Sequence, residues 1–255
     1  MTLSEATEAL RAAGCGTPRL DAEVLLAHAL GVDRAELYLR PQAPPAGFAA
    51  LVERRLGREP VAYIVGRRGF RHLELAVDAR VLVPRPETEH LVEAALGLPR
   101  GARVVDVGTG SGAVALALKD ERPDLHVVGT EVDAAALAVA RANGARLGLA
   151  VSWVEGDLLA GIGGADAVVS NPPYVASGSA LPSESAWEPS GALLAGEEGM
   201  DVFARLVPAA LGAGASFVAL EVGEGQAGAV GALFGSAVQV VRDLAGIERV
   251  VVWRC

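Results

Sequence analysis

Val104-Val-Asp-Val-Gly-Thr-Gly-Ser-Gly112 has the pattern of a short buried strand that runs into a glycine-rich loop, and residues 113–119 continue it with a helical pattern. Glycines let a backbone turn sharply and let a ligand approach the main chain closely. The first N–H groups of a helix have no intrahelical partner, so they can hold a nucleotide pyrophosphate or an amino-acid carboxylate. This order of strand, loop and helix favours a nucleotide-binding unit, although a plain tight turn would need the same glycines.

Strand and helix patterns alternate from residue 103 to the C-terminus. The expected strands are, in chain order, residues 104–107, 125–130, 150–154, 166–170, 216–222, 238–241 and 249–253. The expected helices between them are residues 113–119, 134–147 and 203–211. The short connection between the last two strands favours an antiparallel edge hairpin. The alternation predicts an α/β fold with a doubly wound, mainly parallel seven-stranded sheet and helices on both faces.

Two smaller regions precede this sheet. Residues 1–60 have helical spacing of apolar side chains and are predicted to form a small helical domain. Residues 61–82 change period, and Ala62-Tyr-Ile-Val-Gly66 and Leu73-Glu-Leu-Ala-Val77 are interpreted as the strands of a β-hairpin linker. The sheet domain is expected to occupy residues 83–255.

The composition excludes several classes of protein. The net charge is −9, whereas proteins that bind duplex DNA or structured RNA usually carry an excess of basic residues. Cys15 and Cys255 lie near opposite ends of the sequence, so we predict no zinc site, no other metal site and no disulfide framework. The acidic N-terminus has no hydrophobic region, so no signal peptide is expected, and no apolar run is long enough to span a membrane. A cytoplasmic location is the resulting expectation.

Acidic residues follow the next two strands of the predicted sheet. Glu131 ends the second strand, near the position at which a carboxylate accepts both ribose hydroxyls of a nucleotide. Asp157 follows the third strand and can accept the amino group of adenine, with Leu158 packed on the ring. Spacing alone leaves two alternatives open: Glu131 as a solvated strand-end acid and Asp157 as a helix cap or turn residue.

Asp106 lies in the strand just before the glycine loop. Dinucleotide oxidoreductases commonly carry G-x-G-x-x-G there, whereas the third glycine of this loop, Gly112, comes two residues after the second. A carboxylate at residue 106 could order the loop and meet the ammonium of an amino-acid moiety through water. Adenosine joined to an amino acid is S-adenosylmethionine, which is therefore the predicted cofactor.

Asn171-Pro-Pro-Tyr174 directly follows an apolar strand. Prolines end the strand because they lack the N–H that a ladder needs, and each restricts the residue before it. The Asn171 side-chain oxygen and the Pro172 carbonyl can both accept hydrogen bonds from one planar –NH2 group, with Pro173 and Tyr174 packed against its plane. The tetrapeptide predicts a grip for an amide or amino nitrogen; a proline-rich turn with a packed tyrosine is the alternative.

Taken together, these motifs resemble those of class I S-adenosylmethionine-dependent methyltransferases that act on planar nitrogen, and most of all the N5-glutamine methyltransferases of peptide chain release factors. The resemblance runs from about residue 18 to the C-terminus. Its further matches are Pro60-Val-Ala-Tyr-Ile-Val-Gly66, Phe70, Val83-Pro-Arg-Pro-Glu-Thr-Glu89, Trp187-Glu-Pro189, Glu221-Val-Gly223 and Asp243-Leu-Ala-Gly-Ile-Glu-Arg249. The Arg-Pro-Glu-Thr and Asn-Pro-Pro-Tyr stretches are specific in combination, whereas either alone is not.

The resemblance implies an activity, a cofactor and a partner. The family transfers a methyl group from S-adenosyl-L-methionine, leaving S-adenosyl-L-homocysteine, to N5 of the glutamine in the Gly-Gly-Gln tripeptide of release factors. The expected partner is thus a release factor, with no direct nucleic acid and no membrane, and the enzyme is expected to be a monomer. The order of the domains alone leads to the hypothesis that the helical domain recognises the body of the release factor. Two departures from the family pattern stand out: Glu131 replaces a common aspartate, and Leu158 replaces an aromatic residue of some relatives.

The resemblance also assigns roles to residues. The expected catalytic residues are Asn171, Pro172, Pro173 and Tyr174, which also bind the substrate together with Glu188 and Pro189. The expected cofactor-binding residues are Asp106, Gly108, Thr109, Gly110, Ser111, Gly112, Glu131, Asp157, Leu158 and Asn171. The resemblance also places Arg85, Glu87 and Thr88 at the methionine end of the cofactor, although a capped helix start explains the same residues. A surface turn is likewise the alternative for Glu188 and Pro189.

Two other functions are compatible with the same residues. A nucleic-acid methyltransferase acting on adenine N6 or guanine N2 would need the same grip for a planar –NH2 group, together with stacking and backbone contacts for a flipped base. The net charge of −9 and an aromatic content of 4% argue against it. The second alternative is a catalytically silent cofactor-binding module, against which the intact tetrapeptide argues.

Overall fold

The structure, a computed structural model, describes residues 1–39 and 43–255, which form two compact units. The helical unit comprises Met1–Arg67 and Leu181–Trp187, and the sheet unit comprises Arg68–Ala180 and Glu188–Cys255. Residues 181–187, expected in the sheet domain, therefore pack with the N-terminal helices. The contacts likewise group most of the predicted hairpin linker with the sheet unit.

Short helices build the helical unit. They are α1 (Leu3–Ala12), α2 (Pro18–Leu30), α3 (Glu36–Leu39), α4 (Phe48–Leu56) and α5 (Val61–Val65). At the start of α1 the Thr2 hydroxyl accepts from the Glu5 N–H while the Glu5 carboxylate accepts from the Thr2 N–H, a capping box that satisfies two orphan donors. The apolar faces enclose a core that includes Leu10, Leu25, Phe48 and Val52.

A buried arginine ties residues 181–187 into this unit. The Arg55 side chain is 7% exposed, and its Nε donates to Asp21 at 2.8 Å. Its second terminal nitrogen donates to Glu184 at 2.9 Å, and Arg58 reaches the same carboxylate. Each charge in this cluster has an opposite partner, which buried charges require.

The segment Val61–Val65 is a helix, so the predicted strand at residues 62–66 is wrong. A short apolar run does not reveal its period, and here the residues at its ends decide the conformation. Pro60 precedes the helix, and Gly66 ends it with a left-handed backbone at φ 74°. The hairpin is confined to β1 (Arg67–Phe70) and β2 (Leu73–Ala76), which form a separate two-stranded sheet.

Seven strands form the main sheet. They are β3 (Arg103–Val107), β4 (His126–Glu131), β5 (Ser152–Glu155), β6 (Ala167–Ser170), β7 (Phe217–Glu221), β8 (Gln239–Arg242) and β9 (Glu248–Arg254). Their order across the sheet is β5-β4-β3-β6-β7-β9-β8. Strands β3 to β7 pair in parallel, and β9 runs antiparallel to both β7 and β8. The predicted α/β class with a mainly parallel seven-stranded sheet is confirmed.

Helices cover both faces of this sheet. They are α6 (Glu89–Ala95), α7 (Ala113–Glu121), α8 (Ala134–Leu147), α9 (Asp201–Gly212) and α10 (Ala227–Ala232). The sheet unit also has 3-10 turns at Pro86–Thr88 and Ser190–Ala192, whereas the 3-10 turn Ser183–Trp187 belongs to the helical unit. Val104 faces a core that contains Leu91 and Leu116, whereas Val105 faces the opposite core with Phe203. Among the described residues, no helix has the length and apolar character needed to cross a membrane.

The strand register aligns the carboxyl ends of the parallel strands. Val107 at the end of β3 pairs with Thr130 of β4 on one side and with Ser170 of β6 on the other. Ser170 in turn pairs with Leu220 near the end of β7. Side chains that follow these strands therefore meet at one edge of the sheet, as ligand sites in open α/β sheets do.

Three glycines make room for the indole of Trp153, which stands on β5. A Cβ atom added at Gly129 would lie 2.6 Å from Cζ3 of the ring. One at Gly112 would lie 3.1 Å from Cη2, and one at Gly144 would lie 3.3 Å from Cζ2. The ring fills the space beside these glycines, so packing favours glycine at residues 129 and 144, and at Gly112 a φ of 84° favours it as well.

We predict that Gly129→Ala destabilises the protein by roughly 1–3 kcal/mol, because the added methyl group overpacks the site against Trp153. Gly97→Ala is the matched control, since a Cβ atom there meets nothing within 4 Å. Its effect should stay within about 0.5 kcal/mol. Urea unfolding of both variants measures the difference, and equal free energies of unfolding would contradict the packing argument.

Candidate active site

The glycine loop between β3 and α7 is fixed by the end of β4. The N–H groups of Gly108 and Thr109 both donate to the Thr130 carbonyl at 2.9 Å. Gly108 and Gly110 have φ values of 69° and 55°, in the region that favours glycine. Cβ atoms added at these two positions would meet nothing within 4 Å. The loop is therefore open to a ligand at both glycines, whereas Gly112 packs on Trp153.

Asn143 of α8 supports the loop from the side of the hairpin. Its side chain is fully buried, and Nδ2 donates to the carbonyls of Ser111 and Ala76 at 3.0 Å. Its oxygen accepts from the Ala76 N–H at 2.8 Å. Strand β2 and the predicted cofactor residue Ser111 are thus joined through one amide, which sequence reasoning missed because the partners lie far apart along the chain.

Asp106 joins the loop to the helix that follows it. Asp106 is 2% exposed, and its Oδ2 accepts from the Thr109 hydroxyl at 2.6 Å and from the Ala115 N–H at 3.1 Å. Burial raises the pKa of Asp106 to about 7, the two hydrogen bonds oppose this shift, and the charge of Glu131 adds to it. These contacts support the expectation that Asp106 orders the loop.

Glu131 connects the loop to the start of α8. One carboxylate oxygen accepts from the Gly110 N–H at 3.0 Å, and the other accepts from the N–H groups of Val132 and Asp133 at 2.9 and 3.2 Å. A carboxylate has about four acceptor sites, and these three bonds leave about one for a ribose hydroxyl. A second hydroxyl, which the position of Glu131 predicts, would have to replace one of the three N–H groups.

Asp157 and Leu158 differ in their burial and in their hydrogen-bond partners. Asp157 is exposed and forms an ion pair with Arg205, so its carboxylate would have to leave that partner to meet an adenine. Leu158 is half-buried with φ 53°, and its carbonyl accepts from the Thr130 hydroxyl at 2.8 Å. Leu158 is therefore linked to the strand end that holds the loop, whereas Asp157 is not.

The predicted grip lies at the end of β6, next to the loop. The Ser170 hydroxyl donates to the Val107 carbonyl at 2.7 Å and so ties β6 to the strand that enters the loop. Asn171 follows, and its Nδ2 donates to the Thr88 hydroxyl at 3.1 Å. Its side-chain oxygen accepts no hydrogen bond from the described residues. Pro172 is buried next to it.

Gln226 holds the second half of the tetrapeptide. Its Nε2 donates to the Tyr174 carbonyl at 3.0 Å, and its oxygen accepts from the Gly223 N–H at 2.9 Å. Pro173 and Tyr174 are half-buried, and burial together with the charge of Glu221 raises the pKa of Tyr174 to about 12. Nothing in the sequence pattern indicated Gln226, because its contact with Tyr174 depends on how the loop after β7 folds back toward the tetrapeptide.

Glu221 ends β7 beside the grip and is 2% exposed. Its Oε2 is buried with no hydrogen-bond partner in the described chain. Burial raises the pKa of Glu221 to about 7; Thr88, Arg249 and Tyr174 oppose the shift. Sequence reasoning assigned Glu221 no role beyond a family match, although an acid at the end of an apolar strand was an available signal.

Glu188 does not line an open substrate mouth, contrary to the expectation. Its side chain is 1% exposed, and its carboxylate accepts from the Val83 N–H at 3.0 Å and from Arg85. Glu188 therefore fixes the segment that leads into the Pro86–Thr88 turn. Its neighbour Pro189 is half-buried and remains a candidate for substrate contact.

Other features of the described residues contribute no competing site. In residues 1–39 and 43–255, no group of three or more His, Cys, Asp or Glu side chains could hold a metal ion. Two surface clefts near Asp166 and Arg103, at the amino ends of the strands, contain none of the predicted site residues.

The residues at the carboxyl edge fit S-adenosylmethionine. Gly108 and Gly110 leave open space where side chains would otherwise stand. Glu131 offers acceptor capacity beside them, and the apolar Leu158 lies close to the same strand end. This combination suits a ribose, an adenine and an amino-acid moiety.

Two family models match the chain. One, described as the PrmC N-terminal domain, matches residues 2–66, and the other, described as the methyltransferase small domain, matches residues 87–187.

Proteins of similar sequence are named release factor glutamine methyltransferase. The one from Mycolicibacterium smegmatis is 45% identical over 215 residues, covering 80% of this chain and 76% of the relative. The one from Xylella fastidiosa is 42% identical over 257 residues, covering 93% of each. Among solved structures, a methyltransferase from Pyrococcus furiosus superposes with a TM-score of 0.56 at 19% identity, covering 71% of this chain and 88% of that one, which shows a shared fold.

We predict that Asp106→Asn stabilises the protein at pH 8. The folded protein holds the Asp106 proton more tightly than the unfolded chain, so stability falls as the pH rises from about 4 to about 7. Asparagine keeps an acceptor oxygen for Thr109 and Ala115 without a charge. The variant should gain on the order of 1–4 kcal/mol over the wild type at pH 8 and little at pH 4.

Asp124→Asn is the matched control, because a hydrogen bond from Arg122 lowers the pKa of Asp124. That variant should lose stability at pH 8. Unfolding curves at both pH values measure the two effects, and an Asp106→Asn protein no more stable than the wild type at pH 8 would overturn the assignment of a costly buried charge.

Proposed function

The chain belongs to the family of release factor glutamine methyltransferases, and we propose that the carboxyl edge of its sheet performs the family's reaction with Asn171 as the clamp on the substrate. The enzyme methylates a glutamine side chain of peptide chain release factors, and we assign the methyl group to N5 of the Gly-Gly-Gln glutamine. One observation carries the assignment of the site: the Asn171 side-chain oxygen has no partner in the described chain, at a strand end tied to the glycine loop.

S-adenosylmethionine would supply the methyl group as an electrophilic carbon on a positively charged sulfur. Gly108 and Gly110 would approach its amino-acid portion, and Glu131 would accept a hydrogen bond from its ribose. Leu158 would pack on the adenine. Asp106 holds the loop in shape through Thr109 and Ala115.

Holding the glutamine nitrogen in place is the main task of the protein. A carboxamide nitrogen is a weak nucleophile because its lone pair is delocalised into the carbonyl. Positioning in a near-attack geometry can contribute roughly 7–11 kcal/mol to lowering the barrier. In our proposal the Asn171 oxygen and the Pro172 carbonyl accept the two amide hydrogens, which fixes the nitrogen, while Pro173 and Tyr174 pack against the amide plane.

The same acceptors stabilise the transition state. As the nitrogen bonds to carbon it gains positive charge, so both acceptors bind its hydrogens more strongly than in the ground state. The methylated nitrogen is acidic enough to release a proton to water, so no strong base is needed. This agrees with Tyr174, whose raised pKa of about 12 makes it a poor base at neutral pH.

We assign recognition of the release factor's body to the helical unit. A separate family model covers residues 2–66, which supports a distinct role for this unit. The net charge of −9 would attract a partner with a basic surface, and a release factor has reason to carry one because it binds next to ribosomal RNA. Release factors act in the cytoplasm, and we infer the same location for this enzyme.

Mass spectrometry of a release factor incubated with the enzyme and labelled S-adenosylmethionine tests the proposed function. The label should appear as one methyl group on the Gly-Gly-Gln glutamine. Total RNA and DNA under the same conditions should remain unlabelled. Label in nucleic acid alone would favour the alternative of a base methyltransferase, and no transfer despite cofactor binding would favour a silent module.

Asn171→Ala should lower kcat by about 100- to 1,000-fold, because an acceptor of the developing charge is lost. The Kd for cofactor should stay within about 3-fold of the wild type, since the mutation acts on the substrate. Asn171→Asp keeps an acceptor and should lose less. Single-turnover methylation and cofactor titration measure both quantities, and near-normal turnover in Asn171→Ala would remove the clamp from the mechanism.

Leu39→Ser tests recognition by the helical unit, since Leu39 lies on α3 with 77% of its surface exposed. KM for the whole release factor should rise by about 10-fold, as for loss of one apolar interface contact. KM for a short Gly-Gly-Gln peptide should not change. Leu244→Ser is the matched control, at a fully exposed leucine of the β8–β9 turn. Equal effects on protein and peptide would count against this role of the helical unit.

A further inference from the structure

The clamp works only if Asn171 presents its oxygen to the substrate. The substrate group is itself a hydrogen-bond donor, so a rotated carboxamide would set its NH2 against the substrate NH2. The observed orientation depends on the Thr88 hydroxyl, which accepts from Asn171 Nδ2 at 3.1 Å. A hydroxyl can both accept and donate, so Thr88 alone would tolerate either orientation of the amide.

Glu221 supplies the missing constraint on Thr88. It lies at the end of β7, 2% exposed, beside the end of β6 that leads into Asn171. Burial raises its pKa, and the Thr88 and Tyr174 hydroxyls lower it. An ionised carboxylate only accepts hydrogen bonds. In the structure Oε2 of Glu221 is buried and has no hydrogen-bond partner among the described residues, a costly state that a donor turned toward it would relieve. The Thr88 oxygen already accepts from Asn171, so the Thr88 proton is available to turn toward Glu221.

We propose that Glu221 is a positioning residue that fixes the Asn171 carboxamide through the Thr88 hydroxyl, so that the side-chain oxygen faces the substrate nitrogen. The inference rests on the proposed function of Asn171 as the clamp. In this relay Asn171 donates to Thr88 and Thr88 donates to Glu221. Glu221 is not a catalytic residue, since its carboxylate is buried behind the groups that face the substrate.

The relay depends on the charge of Glu221. When Glu221 is neutral, its own O–H can donate to Thr88, and the Thr88 hydroxyl is free to donate to the Asn171 oxygen. The carboxamide then loses its preferred orientation. Protonation of Glu221 therefore lowers kcat, and kcat rises with pH.

The surroundings of Glu221 set the pH at which this happens. Burial raises its pKa to about 7, and Glu87 of the Pro86–Thr88 turn adds to the shift, whereas Arg249 of β9 and the Tyr174 hydroxyl oppose it. Tyr174 keeps its proton in this range because its own pKa is raised to about 12. A positively charged cofactor would lower the midpoint further.

A pair of threonine variants tests the relay. Thr88→Val removes the hydroxyl with little change of shape and should lower kcat by about 100-fold, as expected for a misplaced reacting group. Thr88→Ser restores a hydroxyl and should retain most of kcat. Thr7→Val is the matched control, because the Thr7 hydroxyl is also buried but bonds only the Leu3 carbonyl in α1. It should leave kcat unchanged.

Glu221→Gln tests the role of charge. The variant is neutral at every pH, so its kcat should be low and flat between about pH 6 and 8.5, whereas kcat of the wild type rises across this range. Asp106 also titrates near pH 7 and could change the affinity for the cofactor. The measurements therefore use saturating cofactor, so that kcat alone is compared. Tyr174→Phe removes the other hydroxyl that faces Glu221 and should keep the rise with pH.

The outcomes separate the relay from the proposed function. A wild-type enzyme that does not methylate a Gly-Gly-Gln protein would overturn both. If the wild type is active, a wild-type pH profile in Glu221→Gln or a normal kcat in Thr88→Val would overturn the relay alone. Loss of the rise with pH in Tyr174→Phe would also overturn it, because the coupling would then run through Tyr174. Unfolding curves of all variants confirm that folded proteins are compared.

Discussion

A parallel sheet that is buried on both faces can place polar side chains only where its strands end, and this constraint locates the whole site. Every residue of β6 and β7 is buried, including Ser170 and Glu221 at their ends. The register brings the ends of β3, β4, β6 and β7 together. The glycine loop, the acids and the Asn171 clamp therefore share one edge although they are separated widely along the chain.

The sequence could predict what depends on local pattern. The glycine loop, the strand-end acids and the tetrapeptide after β6 each have a signature within a few residues, and the alternation of strands and helices predicts the sheet. The short run Val61–Val65 has no such signature, because an apolar stretch of five residues fits a strand or a helix, and its flanking Pro60 and Gly66 decide for the helix.

What the sequence could not predict depends on contacts between distant residues. Glu188 is buried because its carboxylate bonds Val83, and Asp157 is paired with Arg205. The same holds for the Asn143 and Gln226 amides, whose partners are backbone groups on other loops. A polar residue can be assigned to a strand end from its sequence, but whether it faces a ligand or another part of the protein follows only from the fold.

Two buried carboxyl groups give the site its electrostatic character. Burial raises the pKa of both Asp106 and Glu221 to about 7. Such groups cost stability when they ionise, and a protein selected for stability alone would do better without them. Perturbed acids of this kind concentrate at functional sites. Here one shapes the loop that would hold the cofactor, and the other lies behind the clamp that would hold the substrate.

The most direct test of the clamp is a crystal structure of the enzyme with S-adenosyl-L-homocysteine and a Gly-Gly-Gln peptide. Our account predicts that the Asn171 side-chain oxygen and the Pro172 carbonyl both lie about 2.7–3.2 Å from the glutamine amide nitrogen. A glutamine bound elsewhere, or an Asn171 whose NH2 group faces the substrate, would contradict it.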